Sequence, residues 1–340
     1  MFKPLHQPIL CREILSFLLN PSVPEQGCRV YLDGTVGEGG HSEEILRATA
    51  PNGFLIGLDR DEVAISRVGE RLKVHSERVL LMTTSYGNIL NILPEISKKI
   101  AEKKRVLSTG IPSSCVLDER SRGEDPSPPV FFPWLDGILL DLGLSSRQLS
   151  EGERGFSFKE EGPLDMRFDR STRLTAGEIV NRWPEKKIEA ILIEFGEESW
   201  AKKIASAIIV QRRKKRFETT TELAGLIKQV IPFRFQSKIH PATKTFQALR
   251  IAVNDELKEL TTFLEALPTL AERFLKKRAR IAILSFHSLE DRLVKTAFRK
   301  GQSEGFLEIL TKKPIVPTEE EIAENPRARS THLRVAEVIQ

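Results

Sequence analysis

Asp33-Gly34-Thr35-Val36-Gly37-Glu38-Gly39-Gly40-His41 follows directly on the strand-like run Cys28-Arg29-Val30-Tyr31-Leu32, and Ser42-Glu43-Glu44-Ile45-Leu46 then opens a helical pattern. A β-rich run that breaks into glycines and resumes as a helix is the first unit of a nucleotide-binding α/β sheet. The glycines permit a tight turn and let a ligand approach the backbone at the positive end of a helix. Asp59 closes the next apolar run, Gly53–Asp59, 20 residues after Gly39. An acid at that place can take both hydroxyls of a ribose. The pair of features predicts a nucleoside-bearing cofactor at the carboxyl edge of a doubly wound sheet.

Working outward, further strand-like runs lie at Arg78–Thr84, Leu135–Asp141 and Ala279–Ser285, with Phe306–Thr311 and His332–Ile339 closing the sheet edge. Continuous apolar strands alternating with helices predict a parallel sheet covered on both faces. Residues 101–133 are polar and hold five prolines, which predicts a surface loop. Helical patterns at Ile188–Glu194, Trp200–Arg216 and Thr219–Ile231 fall between the fourth and fifth runs. The predicted organisation is therefore a sheet domain of residues 1–144 and 241–340, carrying the loop 101–133, with a helical substrate-recognition domain, 145–240, inserted into it.

The cofactor is decided by detail. A dinucleotide loop requires G-x-G-x-x-G, whereas Gly37-x-Gly39 is followed here by Ser42. Asp33 would repel a pyrophosphate and suits a cofactor with a cationic amino group and sulfonium. Asp33, Gly37, Gly39, Gly40, His41 and Asp59 thus favour S-adenosylmethionine over a nicotinamide dinucleotide. The fourth run delivers Asp141 into the same crevice, either as a ligand to the methionine end, as an acceptor for a substrate amine, or as a plain helix cap. Ser285-Phe286-His287-Ser288-Leu289-Glu290-Asp291 at the end of the fifth run faces the same edge. There Ser285 and His287 are candidates for the chemistry, and Ser288 with Asp291 also reads as a helix cap. Phe156 and Phe158 fit a base-stacking pocket or a core. No cysteine lies in these motifs, which argues against a thiolate adduct to a pyrimidine ring, and no metal-ligand spacing is present.

The chain has 340 residues with 52 Lys+Arg against 47 Asp+Glu. Its charge of +5 is unevenly spread: residues 201–250 hold twelve cations and two acids, which makes that window +10 and the remainder −5. Such an excess predicts a polyanion at one face or, more blandly, a solvated helix. The candidates for RNA contact are Arg212, Arg213, Lys214, Lys215, Arg216, Lys244 and Arg250. No apolar run approaches the roughly 20 residues of a membrane span. Three widely spaced cysteines suggest neither a disulfide framework nor a zinc site. A cytoplasmic protein is expected.

Taken together, Asp33–His41, Asp141–Ser146, Arg154–Phe158, Gly162–Arg167, His240–Ile251, Ser285–Arg292 and Asn325–Ser330 resemble the bacterial small-subunit ribosomal RNA methyltransferase H family, the cytosine-N4 enzymes. The resemblance spans the chain except residues 101–133. It implies a Rossmann-like class I S-adenosylmethionine-dependent methyltransferase fold with an inserted, mainly helical domain. The implied activity is methyl transfer to the exocyclic N4 of a cytidine in the decoding centre of 16S rRNA, within the small ribosomal subunit. The implied cofactor contacts are Gly39, Gly40, His41, Asp59, Asp141 and Gln148, with Tyr86 standing where the family usually has Phe. Thr331-His332 replaces the family's usual Ala-Lys. Asp141, Ser285 and His287 are the candidates to accept the N4 proton. The competing reading is a ribosome-assembly factor that binds rRNA with a vestigial site; the intact glycine turn and Asp59 speak against it.

Overall fold

The computed structural model describes residues 8–20, 29–107, 133–144, 147, 152–235 and 240–340. Seven strands form one sheet: β1 (Val30–Asp33), β2 (Phe54–Asp59), β3 (Val79–Thr83), β4 (Leu135–Asp141), β5 (Leu275–Ser285), β6 (Leu307–Ile309) and β7 (His332–Val338). Their order is β3-β2-β1-β4-β5-β7-β6. The first five pair in parallel, and β7 runs antiparallel to both β5 and β6. The chain leaves β1 for β2 and β3 on one side, then returns to β4 on the other. The turn after β1 consequently lies at the point where strand order reverses, which is where open α/β sheets bind ligands.

Alternation along the strands sorts the core into two layers. Leu32, Ile56, Leu58, Ile138, Leu140, Ile281 and Ile283 face helices Ile89–Leu107, Glu256–Glu265, Leu267–Arg273 and Ser288–Ser303. Tyr31, Leu55, Leu139, Ala282 and Leu284 face helices Cys11–Leu18, Gly40–Ala48 and Glu62–Arg71. Both faces are covered, which is why the strands read as unbroken apolar runs. Parity carries through to the strand ends. Asp33, Asp59 and Asp141 continue the Tyr31, Leu55 and Leu139 side, so the three carboxylates share one face of the sheet.

The chain divides into two compact units, Met1–Gly143 with Glu259–Gln340, and Leu144–Lys258. The second is a helical assembly of Ala176–Arg182, Glu185–Glu194, Ala201–Lys214, Thr220–Val230 and Thr243–Asn254. Thr175 caps the first of these, and Thr219 with Glu222 forms a reciprocal capping box on the fourth. The expected boundary at residue 240 falls too early. Helix Thr243–Asn254 buries Phe246, Ala248, Leu249 and Val253 in the same core as Ile188, Leu192 and Ile208, so its apolar face ties it to the helical unit. The expected loop also begins too early, because residues 101–107 complete helix Ile89–Leu107. Residues 108–132 lie outside the described residues. Among the described residues no helix is long and apolar enough to cross a membrane.

Candidate active site at the carboxyl edge of the sheet

The turn after β1 is built by its own backbone. Gly34 N–H donates to Leu139 O (2.9 Å), Val36 N–H to Leu58 O (2.9 Å) and Gly39 N–H to Val36 O (2.7 Å). Gly37 (φ +53°) and Gly39 (φ +77°) occupy the left-handed region, where a side chain would be strained. Gly39 is also the N-cap of helix Gly40–Ala48 and no side chain caps it, so the helix presents its first amides at the crevice. Arg71 ties the turn to its helix through Glu38 O (2.7 Å) and the Glu43 carboxylate (2.8 Å).

Asp33 and Asp59 hold this turn from two sides. Asp33 is 1% exposed and accepts from Thr35 N–H (3.1 Å) and Ser42 Oγ (2.6 Å). Burial pushes its carboxyl up to about 6, against the lowering effects of Ser42, His41 and Thr35. Asp33 therefore shapes the loop from inside and is committed to it. Asp59 accepts from Gly37 N–H (2.9 Å) and Asp61 N–H (2.9 Å), one bond per oxygen. Burial raises its carboxyl as well, although the amides of Asp61 and Gly37 oppose the shift. A carboxylate oxygen has more than one acceptor direction, so Asp59 keeps capacity for a diol.

His41 and Asp141 form the centre of the crevice. His41 Nε2 stands 3.5 Å from Asp141 Oδ2, and the imidazole is 7% exposed with neither ring nitrogen hydrogen-bonded. Burial alone would lower its pKa; Asp141, the Cys11 thiol and the Asp33 charge outweigh burial and raise it to about 9. The residue is an imidazolium at neutral pH. Thr35 Oγ1 accepts from the Asp141 amide (2.6 Å), which locks the end of β4 to the glycine turn. The sequence gives little warning of this role for Thr35, whose hydroxyl sits among glycines.

Tyr86 starts a short turn after β3, edge-on to Phe263 at 5.9 Å. Thr84 N–H donates to Asp59 O (2.8 Å), so Tyr86 is held beside the end of β2. Glu259 accepts from Ser85 Oγ, and Ser85 in turn caps the Tyr86–Asn88 turn. Glu259 is a support that reading the motifs missed, since it lies 174 residues from Ser85. Gln148 lies outside the described residues.

Two candidates are placed elsewhere. Ser285 continues the Ile281–Ile283 side of β5, opposite to Asp141, and its hydroxyl donates to His332 O (3.4 Å). His287 is the N-cap of helix Ser288–Ser303 and accepts from Glu290 N–H (3.4 Å), while the Glu290 carboxylate accepts from Phe286 N–H (2.8 Å). The cap is thus built one residue earlier than expected, on His287 with Glu290. Asp291 is freed from capping and forms a bidentate pair with Arg334 (2.7 and 2.9 Å). Ser285 and His287 thus have structural partners, and Ser285 lies on the face of the sheet opposite to Asp141.

The basic window also divides. In the helical unit, Arg212 donates to Val180 O (3.0 Å) and Trp183 O (2.8 Å), closing helix Ala176–Arg182. Lys215 pairs with Glu222, Lys244 donates to Glu197 O (2.8 Å), and Arg250 pairs with Glu256 (2.8 Å). Arg213, Lys214 and Arg216 are exposed. Phe156 stacks on Phe168 at 5.4 Å and is buried, which is the core alternative for that residue; Phe158 stacks on His240 at 4.6 Å.

A switch-point glycine turn, an acid at the end of β2 and an uncapped helix start gather at one edge of a β3-β2-β1-β4-β5-β7-β6 sheet, and the chain is an S-adenosylmethionine-dependent methyltransferase. The acidic lining suits the cationic groups of that cofactor, and the buried His41 nitrogens, which have no hydrogen bond, suit its carboxylate. More narrowly, residues 3–339 match the model of the MraW methylase family, and the chain belongs to that family. It is 42% identical to the ribosomal RNA small subunit methyltransferase H of Citrifermentans bemidjiense, over 98% of each chain. The protein of the same name from Persephonella marina is 42% identical over 98% of this chain and 99% of its own. That of Halothermothrix orenii is 41% identical over 98% of each.

Proposed function

We propose that this enzyme methylates the exocyclic N4 of a cytidine in the decoding centre of small-subunit ribosomal RNA, acting on the rRNA within the small ribosomal subunit, in the cytoplasm. The observation that carries the reading is identity of about 40% over nearly the whole length with relatives named ribosomal RNA small subunit methyltransferase H. In this reading Asp59 takes the ribose hydroxyls of S-adenosylmethionine and Tyr86 lies against its base. The Gly37–Gly40 turn, His41 and Asp141 receive its methionine end. The bound cofactor supplies an activated sulfonium methyl.

What the chain must supply is position and a place for a proton. The N4 lone pair of cytosine is delocalised into the ring, so the base has to be turned out of its stack and aligned with the methyl group. The Asp141 side chain is 27% accessible at the crevice, and besides its pairing with His41 it accepts a long bond from Gly143 N–H (3.4 Å). It can accept a hydrogen bond from N4 as the new bond forms. The neighbouring His41 ring, 3.5 Å away, holds Asp141 in place. Ser285 and His287 act in this reading by fixing the edge of the crevice. Mass mapping of 16S rRNA tests the proposal: cells lacking the protein should have one cytidine short of a methyl group. The wild-type chain should restore it and Asp141→Ala should not. An unmodified map identical in both cells overturns the assignment.

A further inference from the structure

Away from the crevice's centre, helix Ser288–Ser303 carries Lys295, Arg299 and Gln302 at the i, i+4, i+7 spacing of one helix face. This face meets Ile309, Thr311, Lys312 and Arg334, and together with Phe298 they line a cavity of about 230 Å³. Arg334 is neutralised by Asp291. Lys295, Arg299 and Lys312 are exposed and have no acidic partner among the described residues. Three uncompensated cations converging on one cavity are costly through mutual repulsion unless an anion joins them. Phe298 and Ile309 give the cavity apolar walls beside these charges.

Topology says where the cavity lies. Ile309 ends β6, and Arg334 lies near the start of the antiparallel β7 opposite the end of β5, where Ile283 pairs with Arg334. The cavity therefore lies on the flank of the sheet beside β6, and it runs from the start of β7, at the edge that also carries the glycine turn, back along helix Ser288–Ser303. β6 is four strand positions from β1, which is about 19 Å at the usual inter-strand spacing. A strand of nucleic acid with one base turned into the crevice can reach this distance within a few nucleotides.

We propose that Lys295, Arg299 and Lys312 form a docking site for backbone phosphates of the RNA substrate, holding the strand a few nucleotides from the target base. The inference rests on the RNA reading above and adds a contact surface outside the cofactor site. Gln302, which is exposed, supplies a neutral donor and acceptor at the rim. Methyl transfer itself needs none of these residues.

The test compares the full-length enzyme with a Lys295→Gln/Arg299→Gln/Lys312→Gln variant, whose changes are all at exposed positions. Filter binding of rRNA fragments is measured from 50 to 200 mM salt, beside calorimetry of S-adenosylmethionine. Loss of three single-strand phosphate contacts should reduce the slope of log K against log salt by about 2, so wild type loses about 20-fold more affinity over that range than the variant. The KM for rRNA should rise while cofactor affinity and the turnover at saturating RNA hold. An unchanged slope and KM in an enzyme that methylates rRNA overturns the docking site alone. A wild-type enzyme that methylates no rRNA removes the proposed function instead, and the salt slope then still reports whether the cavity takes RNA. Tight binding of cytidine monophosphate that the variant loses, without any change in RNA slope, would make the cavity a free-nucleotide site and overturn the proposal.

Discussion

Asp141→Asn should collapse the raised pKa of His41, and the structure sets the scale. Opposite unit charges at 3.5 Å attract by about 5 kcal/mol at an effective permittivity of about 20. Since one pKa unit corresponds to about 1.4 kcal/mol, that attraction alone outweighs a rise from 6.5 to about 9. Without it burial dominates, and His41 should titrate at or below 6.5. The sign for stability follows from linkage. A histidine raised in the folded state contributes stability that is complete below its unfolded pKa and is lost as pH rises through about 9. The wild-type protein should therefore lose about 3 kcal/mol of unfolding free energy between roughly pH 6.5 and 9.5 from this group, and the variant should not. Ring-proton NMR titration follows His41 directly, assigned among the six histidines by its absence in His41→Gln, and urea unfolding at each pH measures the stability. A wild-type His41 midpoint near 6.5, or one that Asp141→Asn leaves in place, refutes the ion pair as the source of the shift.

Asp59→Ala should weaken S-adenosylmethionine binding by about 1–3 kcal/mol, the scale of a lost hydrogen bond to a charged group; unchanged affinity in calorimetry would remove Asp59 from the site. Asp33, raised to about 6 by burial, contributes stability that is complete below its unfolded pKa of 3.8 and is lost as pH rises through 6. The stability difference between wild type and Asp33→Asn should accordingly shift by about 3 kcal/mol between pH 4 and 7, which paired denaturation curves will show or deny. Neutralising Arg213, Lys214 and Arg216 to Gln should lower the salt slope of rRNA binding by about 2 with no change in unfolding midpoint. Arg212→Gln should do the reverse, costing about 1–3 kcal/mol of stability through the two carbonyls it leaves unpaired, and equal behaviour of the two variants would contradict the division drawn within the basic window.

The strands and the glycine turn are legible in sequence because their signals are local. Apolar runs of period-independent burial mark β1, β2, β4 and β5, and Gly37 and Gly39 mark the two left-handed positions that close the turn. The observed sheet departs from the expected strands only at their ends, as with β6, which keeps Leu307–Ile309 of the longer run. What the local sequence does not show depends on long-range partners. Ser285 and His287 stand beside the crevice in sequence order, yet one residue of alternation turns Ser285 to the other face, and a capping bond claims His287. Nothing within a few residues of either announces this. Arg212 differs from Arg213 only in which way a helix turns it, and the carbonyls of Val180 and Trp183 that it meets lie about 30 residues upstream. The boundary near 240 failed for the same reason: the apolar face of helix Thr243–Asn254 does not reveal which of two cores it joins.

The parity that misplaced Ser285 is what assembles the rest of the site. Asp33, Asp59 and Asp141 end three adjacent parallel strands on one face, so their carboxylates gather at a single edge without any loop having to carry them there. Left alone they would repel one another, and the raised carboxyls of Asp33 and Asp59 record the burial they endure. His41, delivered by the helix that the glycine turn launches, brings one positive charge against Asp141. Three carboxyl groups thus face a single imidazolium in this group of four residues. A cofactor carrying a sulfonium and an ammonium brings compensating charge, and methyl transfer removes the sulfonium's share. On the proposed placement of the cofactor beside these acids, the electrostatics that favours the loaded cofactor weakens once the methyl group has left.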